Sequence, residues 1–277
     1  MRRKISILGL AGLVVTTSAY AAPLSVGVVP QNGVDATTKA WQPIVDEIAR
    51  RAGVELRLSV AETMAEFDKH VAAGAYDIAY MNPFQLLLAR ASQAYEPVVR
   101  DGATDLAGIL VVRKDAGISR VEDLANKTIA FPSPNALGAS LLMRAQLDHQ
   151  YKLAFKAVYS GTHPAAYRAV IDGSVAAAGG VPATLDAQPP EIRDQLIVLF
   201  KTTSVDPHPV AIHPRVGIPT RDAVRRAFID MGGDASGAKL LAAVPMTRVV
   251  AASLDDYRRL QRWGLQSYYV REQSAAK

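Results

Sequence analysis

The chain has 277 residues, 49% of them hydrophobic, with 31 basic and 26 acidic side chains and no cysteine. It is long enough to bury one large or two small cores. The absence of cysteine excludes a disulfide framework and a thiol nucleophile. Setting aside the three basic residues at the start leaves 28 basic against 26 acidic residues, a net +2, too small to argue for nucleic acid or an anionic membrane as partner.

In chain order, Arg2, Arg3 and Lys4 precede an apolar run, Ile5 to Val15, and then Ala19-Tyr20-Ala21. This is the layout of an export signal, with cleavage expected after Ala21 and about 256 of the 277 residues left. The run is too short to span a bilayer. The mature protein is therefore expected in a periplasm. Leu24 to Val29 reads as a strand, and Pro30-Gln31-Asn32-Gly33 as a turn. Trp41, Ile44, Val45 and Ile48 keep helical spacing, with Pro43 in the first turn. Val54, Leu56, Leu58 and Val60 alternate with polar residues as a strand does. A short helix from Met64 to Ala73, a strand at Asp77 to Met81 and a helix at Phe84 to Ala91 follow. This β-α alternation predicts mainly parallel sheets flanked by helices.

Gly108 to Arg113 and Lys127 to Phe131 are further expected strands. The second ends at Pro132 and Pro134, because proline cannot donate to a sheet ladder. Ala139, Leu142, Met143 and Leu147 then fall on one helical face, so a helix is expected to start near Ala136 to Gly138 with Asn135 as its N-cap. Beyond it are expected a strand at Ala157 to Tyr159, a helix from about Pro164 to Ile171, an apolar run at Ser174 to Ala178, and strands at Leu196 to Phe200 and Val210 to Ile212. Three helices complete the chain: Arg221 to Met231, Ala235 to Ala242, and Leu254 to about Glu272. Asp101 to Ala107 and Thr202 to Pro209 are the candidate hinges if the protein has two lobes.

The chain carries no Gly-x-Ser-x-Gly elbow, no His-Glu-x-x-His pair and no phosphate-binding Gly-rich loop ending in Lys-Ser/Thr. Its histidines, His70, His149, His163, His208 and His213, never stand three or four apart on a helix. Neither a catalytic constellation, nor a metal site, nor a cofactor is expected. The binding signals are stronger. Tyr80, Asn82 and Phe84 sit where a strand ends and a helix begins, the usual place for a ligand in an open α/β sheet. Thr162 and His163 open a helix after another strand, with Thr162 a candidate N-cap. Residues 136 to 139 open a third. Helix starts present free N–H groups and the positive end of a dipole, so an anion could be met at several places at once.

Taken together, LSVGVVPQ, YDIAYMNP, LVVRKDAGISRVEDLANKTIAF, YSGTHPAAYRAVIDGSVAAAG, KTTSVDPHPVAIHPRV and LDDYRRL resemble the PhnD-like substrate-binding proteins of phosphate, phosphite and phosphonate ABC transporters. The resemblance implies a type 2 periplasmic binding protein: two α/β lobes joined by two crossovers and closing over a ligand. One lobe would be residues 22–107 with 210–277, the other 108–209, after a signal at 1–21. It also implies a small oxyanion-bearing ligand, a membrane permease as partner and a monomeric protein. A sensor subunit for a membrane histidine kinase, or an enzyme on the same fold, are the alternatives. Tyr80 and His163 match ligand-contacting positions of the family. The family's hydroxyl-rich loop is replaced here by Ala136, Leu137, Gly138 and Ala139, leaving backbone N–H groups, and its acidic residue facing a ligand amine is Ala176. Each lost hydroxyl donor to a charged ligand should cost roughly 1.5–3 kcal/mol unless replaced. The expected ligand contacts are Tyr80, Asn82, His163, Thr162 and residues 136–139, joined by His208 and Gln31.

Overall fold

A computed structural model describes residues 22–270. The expected export signal and the far end of the last expected helix lie outside them. The first sheet contains β1 (Leu24–Val28), β2 (Leu56–Val60), β3 (Ile78–Tyr80), β4 (Glu96–Asp101), and the late strands β10 (Pro209–Ile212) and β11 (Val249–Ala251), in the order β11-β4-β10-β3-β1-β2. The second contains β5 (Ile109–Arg113), β6 (Thr128–Phe131), β7 (Lys156–Tyr159), β8 (Ala177–Gly180) and β9 (Leu196–Lys201), in the order β7-β6-β8-β5-β9.

The sheets are mixed, which corrects the expectation of mainly parallel ones. β1 runs parallel to β2 and β3, and β6 parallel to β7 and β8. β10 is antiparallel to β3 and β4, and β5 antiparallel to β8 and β9. The reason is connectivity. A parallel neighbour needs a crossover within its own sheet, whereas β5 and β10 arrive from the other sheet. Segments 102–108 and 202–208 make those two passages. They are tied by reciprocal bonds in which Leu106 N and Val205 N each donate to the other's carbonyl at 2.8 Å. Gly108 packs so closely on the start of the helical stretch beyond β6 that a Cβ there would run into Gly138 O.

Helices cover both sheets. Val34–Ala52 buries Trp41, Ile44, Val45 and Ile48 as it packs on β1, β2 and the helix Ile218–Gly233. In the second sheet, alternation along β5 sends Ile109 and Val111 into one core with Tyr167, and Leu110 and Val112 into another with Phe131 and Leu147. A further apolar cluster joins the two halves: Phe84, Leu106, Leu137, Leu141, Val181, Leu260 and Leu265.

Other expectations change. Asn135 is not an N-cap: Ala136 occupies that position, and Leu137–Leu142 is π-helical before regular helix resumes at Met143–Tyr151. The Asn135 amide instead donates to Val270 O at 2.9 Å and to Asp68, and accepts from Val270 N at 3.0 Å. The long final helix is broken. Leu254–Tyr257 is helical, and the tighter turns Arg258–Trp263 and Leu265–Ser267 follow on either side of Gly264, whose φ of 59° is left-handed. Glycine adopts that conformation freely, and the break lets Leu260 and Leu265 both reach the cluster between the halves. β4, β11 and the short helices Pro182–Asp186 and Pro190–Arg193 carry no usable sequence pattern. β4 includes Pro97, which is accommodated where the pairing with β10 shifts register.

Candidate functional site

Parallel pairing brings the C-terminal ends of β1 and β3 to one edge, and the antiparallel β10 starts there, since Val210 pairs with Tyr80. Gln31, Tyr80 and His208 are thereby neighbours. The Tyr80 ring lies between Trp41, at 4.6 Å between centroids, and His208, at 5.4 Å and nearly parallel. Burial pushes the Tyr80 phenol well above its ordinary pKa. Gln31 Nε2 stands 3.3 Å from His208 Nε2. Burial pulls the His208 pKa down to about 4, and the ring is neutral at pH 7.

From the second sheet, β6 and β7 end side by side, Phe131 opposite Tyr159. The chain leaving β7 enters helix His163–Ile171, capped by Thr162, whose hydroxyl accepts from Ala165 N at 3.3 Å. His163 N donates across to Gln31 O at 3.2 Å, a direct bond between the two halves. Its ring is fully buried. Nδ1 lies 3.0 Å from Thr184 Oγ1, whereas Nε2 has no hydrogen-bond partner. Burial first, and the nearby His208 second, pull the His163 pKa down to about 3.

The third loop is built differently. Ser140 N and Leu141 N both donate to Ala136 O, so Leu137, Gly138 and Ala139 carry the N–H groups a helix start leaves without intrahelical acceptors. The Leu137 side chain is buried in the apolar cluster between the halves, leaving only backbone for a ligand. Asn82 sits against this loop, but its amide is engaged. Its oxygen accepts from Phe84 N and Gln85 N at 2.9 and 2.8 Å, and its nitrogen donates to Asn135 O at 3.2 Å. Asn82 thus caps its own helix, Pro83–Gln93, and fastens it to the other half.

Gln31, Tyr80, Thr162, His163 and His208 come together from four chain segments, with Asn82 and the loop 136–139 beside them. None carries a formal charge at neutral pH. The cluster offers dipoles, ring nitrogens and the N–H groups of residues 137–139, the means by which a buried anion is held without a counter-charge; at the other helix start His163 N is bonded to Gln31 O, Pro164 has no N–H and Ala165 N is taken by the Thr162 cap. It offers no nucleophile paired with a base. Among the described residues, no group of three or more histidines and acidic residues could hold a metal, and no helix is long and apolar enough to cross a membrane. Tyr167, Thr184 and Gly180 escape the sequence reading because they touch the cluster only through His163. A threonine two residues after Pro182 looks like ordinary helix-start chemistry.

Two sheet-and-helix halves joined by two crossing segments, with a buried polar cluster between strand ends, are the architecture of the two-domain periplasmic binding proteins. The family model for the periplasmic phosphonate-binding protein of ABC transporters matches residues 26–257. The chain belongs to this family of periplasmic substrate-binding proteins. Among solved structures, it is similar to a binding-protein component of an ABC phosphonate transporter from Pseudomonas aeruginosa, at TM-score 0.79 and 18% identity, over 89% of this chain and 87% of that one. PhnD1 from Prochlorococcus marinus, in complex with methylphosphonate, superposes at TM-score 0.79 and 17% identity, over 88% and 97%. A Xanthomonas citri protein bound to ATP does so at 0.73 and 14%, over 90% and 98%.

Proposed function

We propose that the cleft lined by Gln31, Tyr80, His163 and His208 captures a small tetrahedral oxyanion of the phosphonate or phosphate class, and that the closed protein delivers it to a membrane permease. The observation that carries this reading is the convergence of those four neutral side chains, from both halves, beside the helix start at 137–139. The bond from His163 N to Gln31 O spans the cleft. It is therefore made in the closed form and broken on opening, the hinge closure through which such proteins signal occupancy. Residues 22–107 with 210–270 act as one body and 108–209 as the other, turning about segments 102–108 and 202–208. The binding chemistry needs no turnover, and the protein acts as a carrier after export and removal of its signal.

No carboxylate stands among these side chains, so a ligand bearing an ammonium gains nothing there. Methylphosphonate should bind more tightly than 2-aminoethylphosphonate. Isothermal titration of the mature protein with methylphosphonate, phosphite, phosphate and 2-aminoethylphosphonate tests the reading. Saturable binding of at least one, weakened about tenfold or more by Tyr80→Ala and by His163→Ala, is expected from the loss of one buried contact. Binding left intact by both substitutions would place the ligand elsewhere.

A further inference from the structure

His163 Nε2 is a buried ring nitrogen without a partner, on a residue whose backbone N–H bonds Gln31 O of the other half. What it can do for a ligand is set from behind the ring. Nδ1 faces Thr184 Oγ1 at 3.0 Å. The same hydroxyl oxygen lies 2.8 Å from the Tyr167 hydroxyl and 2.9 Å from Val181 O. Tyr167 reaches it only because residue 180 is glycine, since a Cβ at Gly180 would occupy the place of the Tyr167 hydroxyl.

Counting protons decides between the two tautomers. Three hydrogens are available: one on Tyr167, one on Thr184 and one on the neutral ring. Val181 O accepts only. If Tyr167 donates to Thr184, Thr184 to Val181 O, and His163 Nδ1–H to Thr184, all three hydrogens are used in the three short contacts. If the ring proton sits on Nε2 instead, Thr184 must turn its hydrogen from Val181 O to Nδ1, leaving two oxygens 2.9 Å apart with no hydrogen between them. Val181 N adds a longer contact to Thr184 Oγ1, and the Tyr167 hydroxyl one to Val181 O, both at 3.4 Å.

We infer that Thr184 and Tyr167 are positioning residues that hold the His163 proton on Nδ1, so that Nε2 accepts a hydrogen bond and the cleft selects a tetrahedral oxyanion still carrying one acidic hydroxyl. The ligand is then a hydrogen-phosphonate or hydrogen-phosphate monoanion, and sulfate, the same shape without a hydroxyl, is rejected. The inference rests on the cleft being the oxyanion site. The groups facing His163 are Tyr167 on its own helix, Thr184 on helix Pro182–Asp186 with Asp186 at its exposed end, and Gln31 and His208 across the cleft. The two histidines are already neutral above pH 5, and the ligand's second ionisation supplies the pH dependence.

The test combines titration calorimetry of the full mature protein with nitrogen NMR of its histidines. Methylphosphonate affinity is expected to fall about tenfold per pH unit once the ligand loses its second proton. Sulfate should bind at least about 100-fold more weakly than phosphate at pH 6, because a site built to bond a hydroxyl rejects an analogue without one. The His163 resonances should report Nδ1–H in the wild type. Thr184→Val should shift them towards the other tautomer and narrow the sulfate discrimination about tenfold, and Thr184→Ser should restore both. Methylphosphonate binding with a flat pH profile, sulfate bound as well as phosphate, or an Nε2–H signature in the wild type would each overturn the inference while leaving the oxyanion site standing. Failure of every oxyanion to bind would overturn both. The wild-type spectrum decides the tautomer even if the valine variant does not fold.

Discussion

Two helical stretches begin beside each other in this molecule, at Leu137 and at His163, and they meet the cleft in opposite ways. Both follow parallel strands that end in register, Phe131 opposite Tyr159. Beyond β6 the chain has apolar residues and a π-helical first turn, buries Leu137 in the cluster between the halves, and keeps only backbone for a ligand. Beyond β7 it has a hydroxyl cap and a buried histidine backed by Thr184 and Tyr167. One start offers a dipole on a hydrophobic anchor; the other offers a side chain whose proton is set from behind. Identical strand-to-helix topology thus leaves the chemistry to the two or three residues at the turn.

Gly108→Val should break this contrast most severely. Its side chain would run into Gly138 O, backbone that cannot swing aside, and we expect a loss above about 3 kcal/mol or failure to fold. Thermal unfolding and soluble yield measure it. Leu137→Ala should cost about 3 kcal/mol in denaturant unfolding if the side chain is core, as its burial states. An unchanged stability would mean that Leu137 faces the ligand instead.

Acid should act through the other helix start. The folded pKa values of His163 and His208, about 3 and about 4, lie below the ordinary value of about 6.5. In that window the unfolded chain binds more protons than the folded one. Stability therefore rises with pH up to about 6.5 and falls below it, by about 1.4 kcal/mol per pH unit for each histidine. Urea midpoints between pH 4.5 and 7 should show this slope, and His208→Asn should remove about half of it.

His163→Ala should sharpen the comparison from the opposite direction. We expect a loss of about tenfold or more in oxyanion affinity, together with a lower melting temperature, since the substitution empties a fully buried ring site and takes the Nδ1 partner from Thr184. Thr162→Ala should have the smallest effect, about 1 kcal/mol for the lost cap, visible in the melting temperature.

Much of this was legible in the amino-acid sequence. Periodicity marked β1, β3, β6 and the helices that follow them, prolines marked where β6 stops, and hydroxyls marked the cap at Thr162. It did not reveal the mixed sheets, because strand direction depends on which half a segment returns to. Nor did it reveal the broken end beyond Tyr257, where apolar spacing continues but Gly264 and the demand to bury both Leu260 and Leu265 override it. Asn82 read as a ligand contact, yet its amide is engaged in capping and fastening. Asn135 read as a cap, yet it binds Val270.

The sequence by itself determined the class of the fold, the strand-to-helix turns and the residue types at them, because these follow from local spacing and local backbone chemistry. The tertiary structure alone decided that Gln31, Tyr80, His163 and His208 meet, that Leu137 turns into the core, and that Thr184 and Tyr167 stand behind His163. Those relations join residues up to 177 positions apart, and only the packing of the two halves against each other brings their burial, and with it their altered proton affinities, into being.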